Sequence, residues 1–249
     1  MNPANKHEFA IYIPLADHHQ VNTILIMHDK LVYHRIINVL RYAINDILII
    51  FNQRQILTCK IIDIDKKNIT FIVIAANTNT ELKPKITALI GLLKKEAFEE
   101  ALYSCVELGV NSIYPVITQK THQKNISEKE MARYHNILIA AAEQSKHFHI
   151  PPLHKPVELQ KLITDMRTIT NAHKIYFDAQ GEKLATVIQT ITQQPTDQLF
   201  LLIGPEGDLS PDEKNLIKSA GFTLCTLTPT ILRAQTAVTL GLGIFRSIP

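Results

Sequence analysis

The chain has only three cysteines in 249 residues, Cys59, Cys105 and Cys225. Their separations form no Cys-x-x-Cys pair, which speaks against a disulfide framework and against a thiolate zinc site. No apolar run approaches the ~18–20 residues that a membrane span needs. The N-terminal stretch lacks the apolar h-region of a signal peptide. Internal repeats and low-complexity segments are also missing. These absences predict a soluble protein of a reducing, cytoplasmic compartment, with no membrane and no metal as partners. Hydrophobic residues make up 46% of the chain and charged residues 20%. That excludes wholesale disorder and allows a sizeable core. At ~100–200 residues per domain, the length fits one large domain or two smaller ones.

The formal charge is +3 and it is spread unevenly. Residues 1–80 carry eight basic and six acidic side chains, residues 81–155 ten and eight, and residues 156–249 eight and nine. A mildly basic first two thirds suits an anionic partner such as RNA, and suits ordinary solubilising charge as well.

Residues 8–75 read as β-rich. Runs at 9–13, 21–27, 46–51, 55–64 and 69–75 are rich in Ile, Val, Phe and Tyr. One helical pattern between Asp29 and Tyr42 interrupts them, and the set suggests a small barrel. Residues 75–81 are small and polar without a period, which predicts a linker. Beyond it strands and helices alternate. Strands are expected at 86–93, 112–117, 174–177, 198–203 and 223–227, and helices at 96–108, 127–145 and 157–168. A further helix opens at Ser210, with Pro211 at its first position and Glu213 completing a capping box. Such alternation argues for a parallel sheet covered by helices, with ligands at the carboxyl ends of its strands. The domains are expected at 1–76 and 82–249.

Two strands run into unusual loops there, Gly204-Pro205-Glu206-Gly207-Asp208 and Thr228-Pro229-Thr230-Ile231-Leu232-Arg233-Ala234. The first has no Lys-Ser or Lys-Thr after its glycines, so it is not a P-loop. Gly241-Leu242-Gly243 fails as a dinucleotide fingerprint, since Arg246 stands where the third glycine belongs. These glycines read instead as close-packing residues of a last helix. That failure excludes a nucleotide-dependent oxidoreductase. His147-Phe148-His149 could place two imidazoles on one face if extended, but spacing implies no third metal ligand.

The stretch Leu202-Ile203-Gly204-Pro205-Glu206-Gly207-Asp208-Leu209-Ser210, followed by Ile231-Leu232-Arg233-Ala234-Gln235-Thr236-Ala237, resembles the paired signature of the ribosomal RNA small subunit methyltransferase E family. Three upstream blocks resemble that family in the same order: His34 to Arg41, Glu107-Leu108-Gly109-Val110, and Ala141-Ala142-Glu143-Gln144-Ser145. The resemblance implies an α/β fold: a C-terminal SPOUT-type domain with a trefoil knot in about 172–237, and a small N-terminal PUA-like β-barrel for RNA. It implies a homodimer that uses S-adenosylmethionine to methylate N3 of a uridine in 16S ribosomal RNA, free or in the small ribosomal subunit. The implied cofactor residues are Phe177, Leu202, Ile203, Gly204, Pro205, Glu206, Gly207, Leu227, Thr228, Ile231, Leu232, Ala234, Thr236 and Ala237. Asp178 closes the preceding strand. Arg233 and Gln235 are the candidate catalytic positions. Arg35, Arg41, Lys120, Lys146, His147 and His149 are the candidate RNA contacts.

A sulfonium donor asks for a snug, mostly apolar pocket with backbone groups for the adenine edge, not an anion cradle. Transfer is an in-line displacement, so positioning carries much of the rate. Uridine N3 holds its proton at neutral pH and needs a base or a cation that stabilises the uridine anion. Arg233 is the candidate for that stabilisation. The chain departs from the family pattern in places. Arg233-Ala234-Gln235-Thr236 stands where the family has Arg-Thr-Glu-Thr, Asp208 replaces a glycine, Ser104 a lysine, and Lys120, His147 and His149 replace arginines. An alternative reading is therefore a cofactor- and RNA-binding homologue with little turnover or another RNA target. If His147 and His149 contact phosphate, RNA affinity should rise as pH falls through their titration. Arg35 and Arg41, six apart on one helix, should point to opposite sides.

Overall fold

The computed structural model describes residues 9–15, 18–121 and 123–248. The expectation about an N-terminal leader therefore falls largely outside the described residues. Two compact units divide the chain, Met1–Thr80 and Glu81–Pro249.

The first unit is a five-stranded sheet in the order β1-β3-β4-β5-β2. Its strands are β1 (Ala10–Tyr12), β2 (Ile24–Met27), β3 (Ile47–Phe51), β4 (Gln55–Ile64) and β5 (Ile69–Thr78). β1 runs parallel to β3, and the other pairs are antiparallel. Both edge strands feed one core, Ile11 from β1 and Leu25 and Met27 from β2, together with Leu57, Ile61, Phe71 and Val73. A flat sheet could not bring its two edges to one cluster, so the sheet is strongly curled. Ladder pairs from Thr58 with Ala75 to Gln55 with Thr78 carry β5 through four of the seven residues predicted as linker. Asn77 and Thr78 are tolerated there because they sit exposed on a paired strand end, while Ala76 packs against the core.

The predicted single helix at 29–42 is shorter and broken. α1 (Lys30–His34) is capped by Asp29, whose carboxylate accepts from the Leu31 and Val32 amides, and a π-helical turn, Arg35–Val39, follows it. Arg41 lies beyond that turn with φ +56°. It is not on a helix at all, so the expected opposition of Arg35 and Arg41 across one helix does not exist.

The second unit is a six-stranded, all-parallel sheet in the order β11-β9-β10-β6-β7-β8. Its strands are β6 (Lys85–Gly91), β7 (Ser112–Ile117), β8 (Val157–Glu158), β9 (His173–Lys183), β10 (Gln198–Ile203) and β11 (Thr223–Thr226). The helices are α2 (Lys95–Glu107), α3 (Glu128–Ser145), α4 (Leu159–Met166), α5 (Leu184–Gln193), α6 (Pro211–Ser219) and α7 (Ala234–Ser247). The predicted helix at 157–168 begins two residues late, because Val157 and Glu158 pair with Val116 and Ile117 as an edge strand. α5 was not anticipated. Its run of Thr and β-branched residues is a weak helix former, and only packing onto the sheet end commits it.

Side-chain alternation sorts the central strands. Tyr176 of β9 and Leu202 of β10 face the core built with α4 and α6. Phe177 faces the other way and stacks on Phe245 of α7, 5.9 Å between centroids. Ser127 and Ser210 each open a helix with the predicted capping box, an arrangement that contributes about 1 kcal/mol per cap.

Candidate functional site

A cavity of about 880 Å³ opens where β10 and β11 end, beside the middle of β9. Its walls are the loop after β10, the loop after β11, the irregular second half of β9 and the first turn of α2.

The loop after β10 is a tight turn in which the Asp208 amide donates to the Pro205 carbonyl at 2.9 Å. Asp208 takes φ +59°, a conformation that glycine adopts freely and Asp tolerates through local hydrogen bonds. Gly91 makes the turn possible from below: a Cβ there would stand 2.4 Å from the Pro205 nitrogen. The Glu206 carboxylate reaches back to the amide of Lys94, the residue before α2, at 3.1 Å. It thus occupies one of that helix's unsatisfied donors and ties the loop to α2.

The irregularity in β9 is set by its neighbour. Leu224 pairs with Tyr176, but the next residue, Cys225, pairs with Glu182. The five intervening residues loop outward. Thr226 fastens them by donating to the carbonyls of Asp178 and Gly181, both at 3.0 Å. Phe177, Asp178 and Ala179 are thereby turned toward the cavity.

Beneath the turn lies a polar network. The Tyr176 hydroxyl donates to Asp208 Oδ1, and the Leu209 amide donates to the same oxygen at 2.7 Å. Lys214 Nζ stands 2.6 Å from Asp178 Oδ2 and 2.7 Å from Asp208 Oδ2. Burial pushes the Asp208 carboxyl up, but the Lys214 and Tyr176 hydrogen bonds outweigh it and hold it below the ordinary carboxylate range. Desolvation pulls Lys214 down, and its two aspartates more than reverse that. Burial, reinforced by Asp208, pushes the Tyr176 phenol well up, so it remains a donor.

Of the cofactor residues expected from sequence, Phe177, Ile203, Gly204, Pro205, Glu206, Gly207, Leu227, Thr228, Ile231, Leu232, Ala234 and Ala237 line this one cavity, with Arg233 and Gln235. Two do not. Leu202 lies on the opposite face of β10, fully buried among α4 and α6 side chains. Thr236 is exposed on the first turn of α7, turned away from the opening. Sequence reasoning missed the α2 contribution, Lys94, Glu96, Ala97 and Glu100, and missed Tyr176 and Asp208 as part of the wall. The one available signal was Gly91, a glycine closing an apolar strand, which often marks a close backbone approach.

Within the second unit, the expected RNA contacts Lys120 and His147 lie at different places. Lys120 sits at the loop after β10, with its Nζ donating to the Gly207 carbonyl at 2.8 Å and its stem against Gly207. Lys146 is exposed and closes α3 with φ +56°. His147 lies near Gly109, at the far end of α2. The 13 residues of α2 put it about 20 Å from the cavity end of that helix. His147 and His149 meet edge to face, 6.3 Å between centroids. Burial, then His149 and Arg246, lower the His147 pKa to about 4. In the RNA-free chain His147 therefore stays neutral across the mildly acidic range.

Among the described residues, no three His, Cys, Asp or Glu side chains are grouped to hold a metal ion, and no helix is long and apolar enough to cross a membrane.

Residues 80–246 match the model of the RNA methyltransferase domain, and residues 33–74 match the model of the RNA methyltransferase PUA domain. A ribosomal RNA small subunit methyltransferase E from Buchnera aphidicola (Acyrthosiphon pisum) is 32% identical over 212 residues, 82% of this chain and 80% of that protein. The chain belongs to the ribosomal RNA small subunit methyltransferase E family. Two solved structures agree in fold. One, from Neisseria gonorrhoeae, is a methyltransferase E bound to S-adenosyl methionine, with TM-score 0.84, 24% identity, and coverage of 97% of this chain and 98% of that one. The other, a Legionella pneumophila methyltransferase in complex with the same cofactor, has TM-score 0.80 and 28% identity over 96% of this chain and 97% of that one.

The matched models make the chain an α/β RNA methyltransferase domain preceded by a PUA domain, as the resemblance implied. The departure at 208 has a physical meaning. The position demands a left-handed backbone, and this chain meets the demand with a charged residue that has acquired partners in Tyr176 and Lys214.

Proposed function

We propose that this chain methylates N3 of a uridine in 16S ribosomal RNA with S-adenosylmethionine, as a cytoplasmic homodimer, residues 172–237 forming the trefoil crossing. One observation carries the reading: two loops remote in sequence, 203–208 and 227–235, close on a single cavity at the strand ends. Five carboxylates line it, Glu96, Glu100, Asp178, Glu206 and Asp208, against two cations, Lys94 and Arg233. That balance favours a sulfonium over an anion in the body of the cavity.

When bound, the cofactor supplies an electrophilic methyl group. The chain's own contribution is placement. Gly204 exposes backbone at the cavity wall, and Pro205 stiffens the turn that presents it. Arg233 is exposed and its side chain makes no hydrogen bond or ion pair among the described residues. It precedes α7, whose first amides have no side-chain cap. An arginine and a helix N-terminus together favour a negative charge. They are suited to stabilise the uridine anion or an adjoining phosphate. Gln235 hydrogen-bonds but removes no proton, so it orients the base. Arg35 and Arg41 on the first unit and Lys146 on the second supply further cationic contacts to the RNA.

Small subunits from a strain lacking the native modification test the reading. Incubation with protein and cofactor, then mass mapping of the RNA, should show one added methyl on a single uridine base. Methylation elsewhere, or none despite measurable cofactor binding, would overturn it.

A further inference from the structure

We infer that the Asp178–Lys214–Asp208 cluster sets the preference of this pocket for the cationic methyl donor over its neutral product. The inference rests on the cofactor assignment just made and goes beyond it. Two carboxylates share one ammonium: Lys214 Nζ lies 2.6 Å from Asp178 Oδ2 and 2.7 Å from Asp208 Oδ2. Both aspartates line the cavity and Lys214 does not.

The remaining partners are neutral. Asp178 Oδ1 accepts from the Gln180 amide at 2.7 Å, and Asp208 Oδ1 accepts from the Leu209 amide and the Tyr176 hydroxyl. The cluster therefore carries a net charge of −1 against the cavity. The Asp178 side chain is 3% exposed, where solvent screens a charge least. Glu96, Glu100, Glu206, Lys94 and Arg233, which also border the cavity, are exposed to solvent and better screened, as is Asp208 with 53% of its side chain exposed, so Asp178 is the less screened of the two carboxylates.

Donor and product share their shape apart from one methyl group, and they differ by one positive charge at sulfur. A fixed negative charge beside the cavity favours the donor and is indifferent to the product. Transfer then removes the attraction, so the spent cofactor leaves more readily. A glycine at 208 would satisfy the backbone with no charge. In this chain the aspartate adds the second carboxylate that leaves Lys214 outnumbered.

Calorimetric titration of S-adenosylmethionine and S-adenosylhomocysteine decides it, using wild type, Asp208→Asn, Asp208→Gly and Asp178→Asn. Asn keeps the left-handed backbone and an acceptor for Tyr176 but loses the charge. The donor-to-product affinity ratio should fall about fivefold in Asp208→Asn, with product affinity within about twofold of wild type. Asp208→Gly should show the same loss of preference, and Asp178→Asn at least as large a loss. Equal weakening of both ligands, or an unchanged ratio in Asp208→Asn and Asp178→Asn, would reduce the cluster to a structural brace. A wild-type protein that binds neither ligand would overturn the cofactor assignment itself, and this inference with it.

Discussion

A Cβ built on Gly91, at the end of β6, would stand 2.4 Å from the Pro205 nitrogen and 2.8 Å from the Gly204 carbonyl carbon. Both are backbone or ring atoms that no rotamer change can move. Gly91→Ala should force the loop after β10 off the end of β6. We expect at least a tenfold loss of cofactor affinity and about 1–3 kcal/mol lower stability. Titration and urea unfolding check both, and native affinity in the alanine variant would count against this packing.

The two glycines of α7 should behave oppositely. A Cβ on Gly241 would lie 2.3 Å from the Phe177 ring, whereas the nearest atom to one on Gly243 is Leu108 Cδ2 at 3.9 Å. Alanine favours a helix interior over glycine by about 1 kcal/mol. Gly243→Ala should therefore raise the melting temperature. Gly241→Ala should lower it and weaken cofactor binding, because Phe177 lines the cavity. Thermal unfolding of the pair separates packing from propensity.

His147 gives the stability a pH dependence of defined sign. Its pKa falls from 6.5 to about 4 in the folded state, chiefly through burial. The unfolded chain thus takes up a proton first as pH drops. The contribution is intact above about pH 6.5 and is lost progressively toward pH 4. With partial solvent screening the loss is about 1–2 kcal/mol. His147→Gln should flatten urea-unfolding midpoints across that window, and an unchanged slope would mean that another group titrates there.

Arg233→Ala should separate binding from turnover. The side chain is exposed at the cavity, and its proposed role is to stabilise the uridine anion. Turnover should fall about 100-fold or more, while donor affinity changes less than about threefold. Single-turnover rates and titration of the same preparation measure the two quantities. A parallel loss in both would make Arg233 a cofactor contact instead.

Much of this site could be read from the chain. Hydrophobic alternation and capping boxes located β6, β7, β10, β11, α2, α3 and α6 closely, since each depends on neighbours only a few residues away. The loops at 204–208 and 228–234 stood out for the same reason: glycine and proline between an apolar strand and a polar helix start are local signals. β9 was only half legible. Its first residues read as a strand, but the outward loop at 177–181 comes from the register of β11, more than 40 residues away.

Amino-acid order alone therefore settled the fold class, the helix starts and the two turns that face the cavity, because short-range propensity and capping decide those. Tertiary structure alone decided that Leu202 turns inward while Ile203 turns out, that α2 closes the cavity, that His147 is half-buried, and that Lys214 is shared between Asp178 and Asp208. Each of these depends on side chains brought together across long loops, and the pull of one charge or ring on another exists only once the sheet has closed that distance.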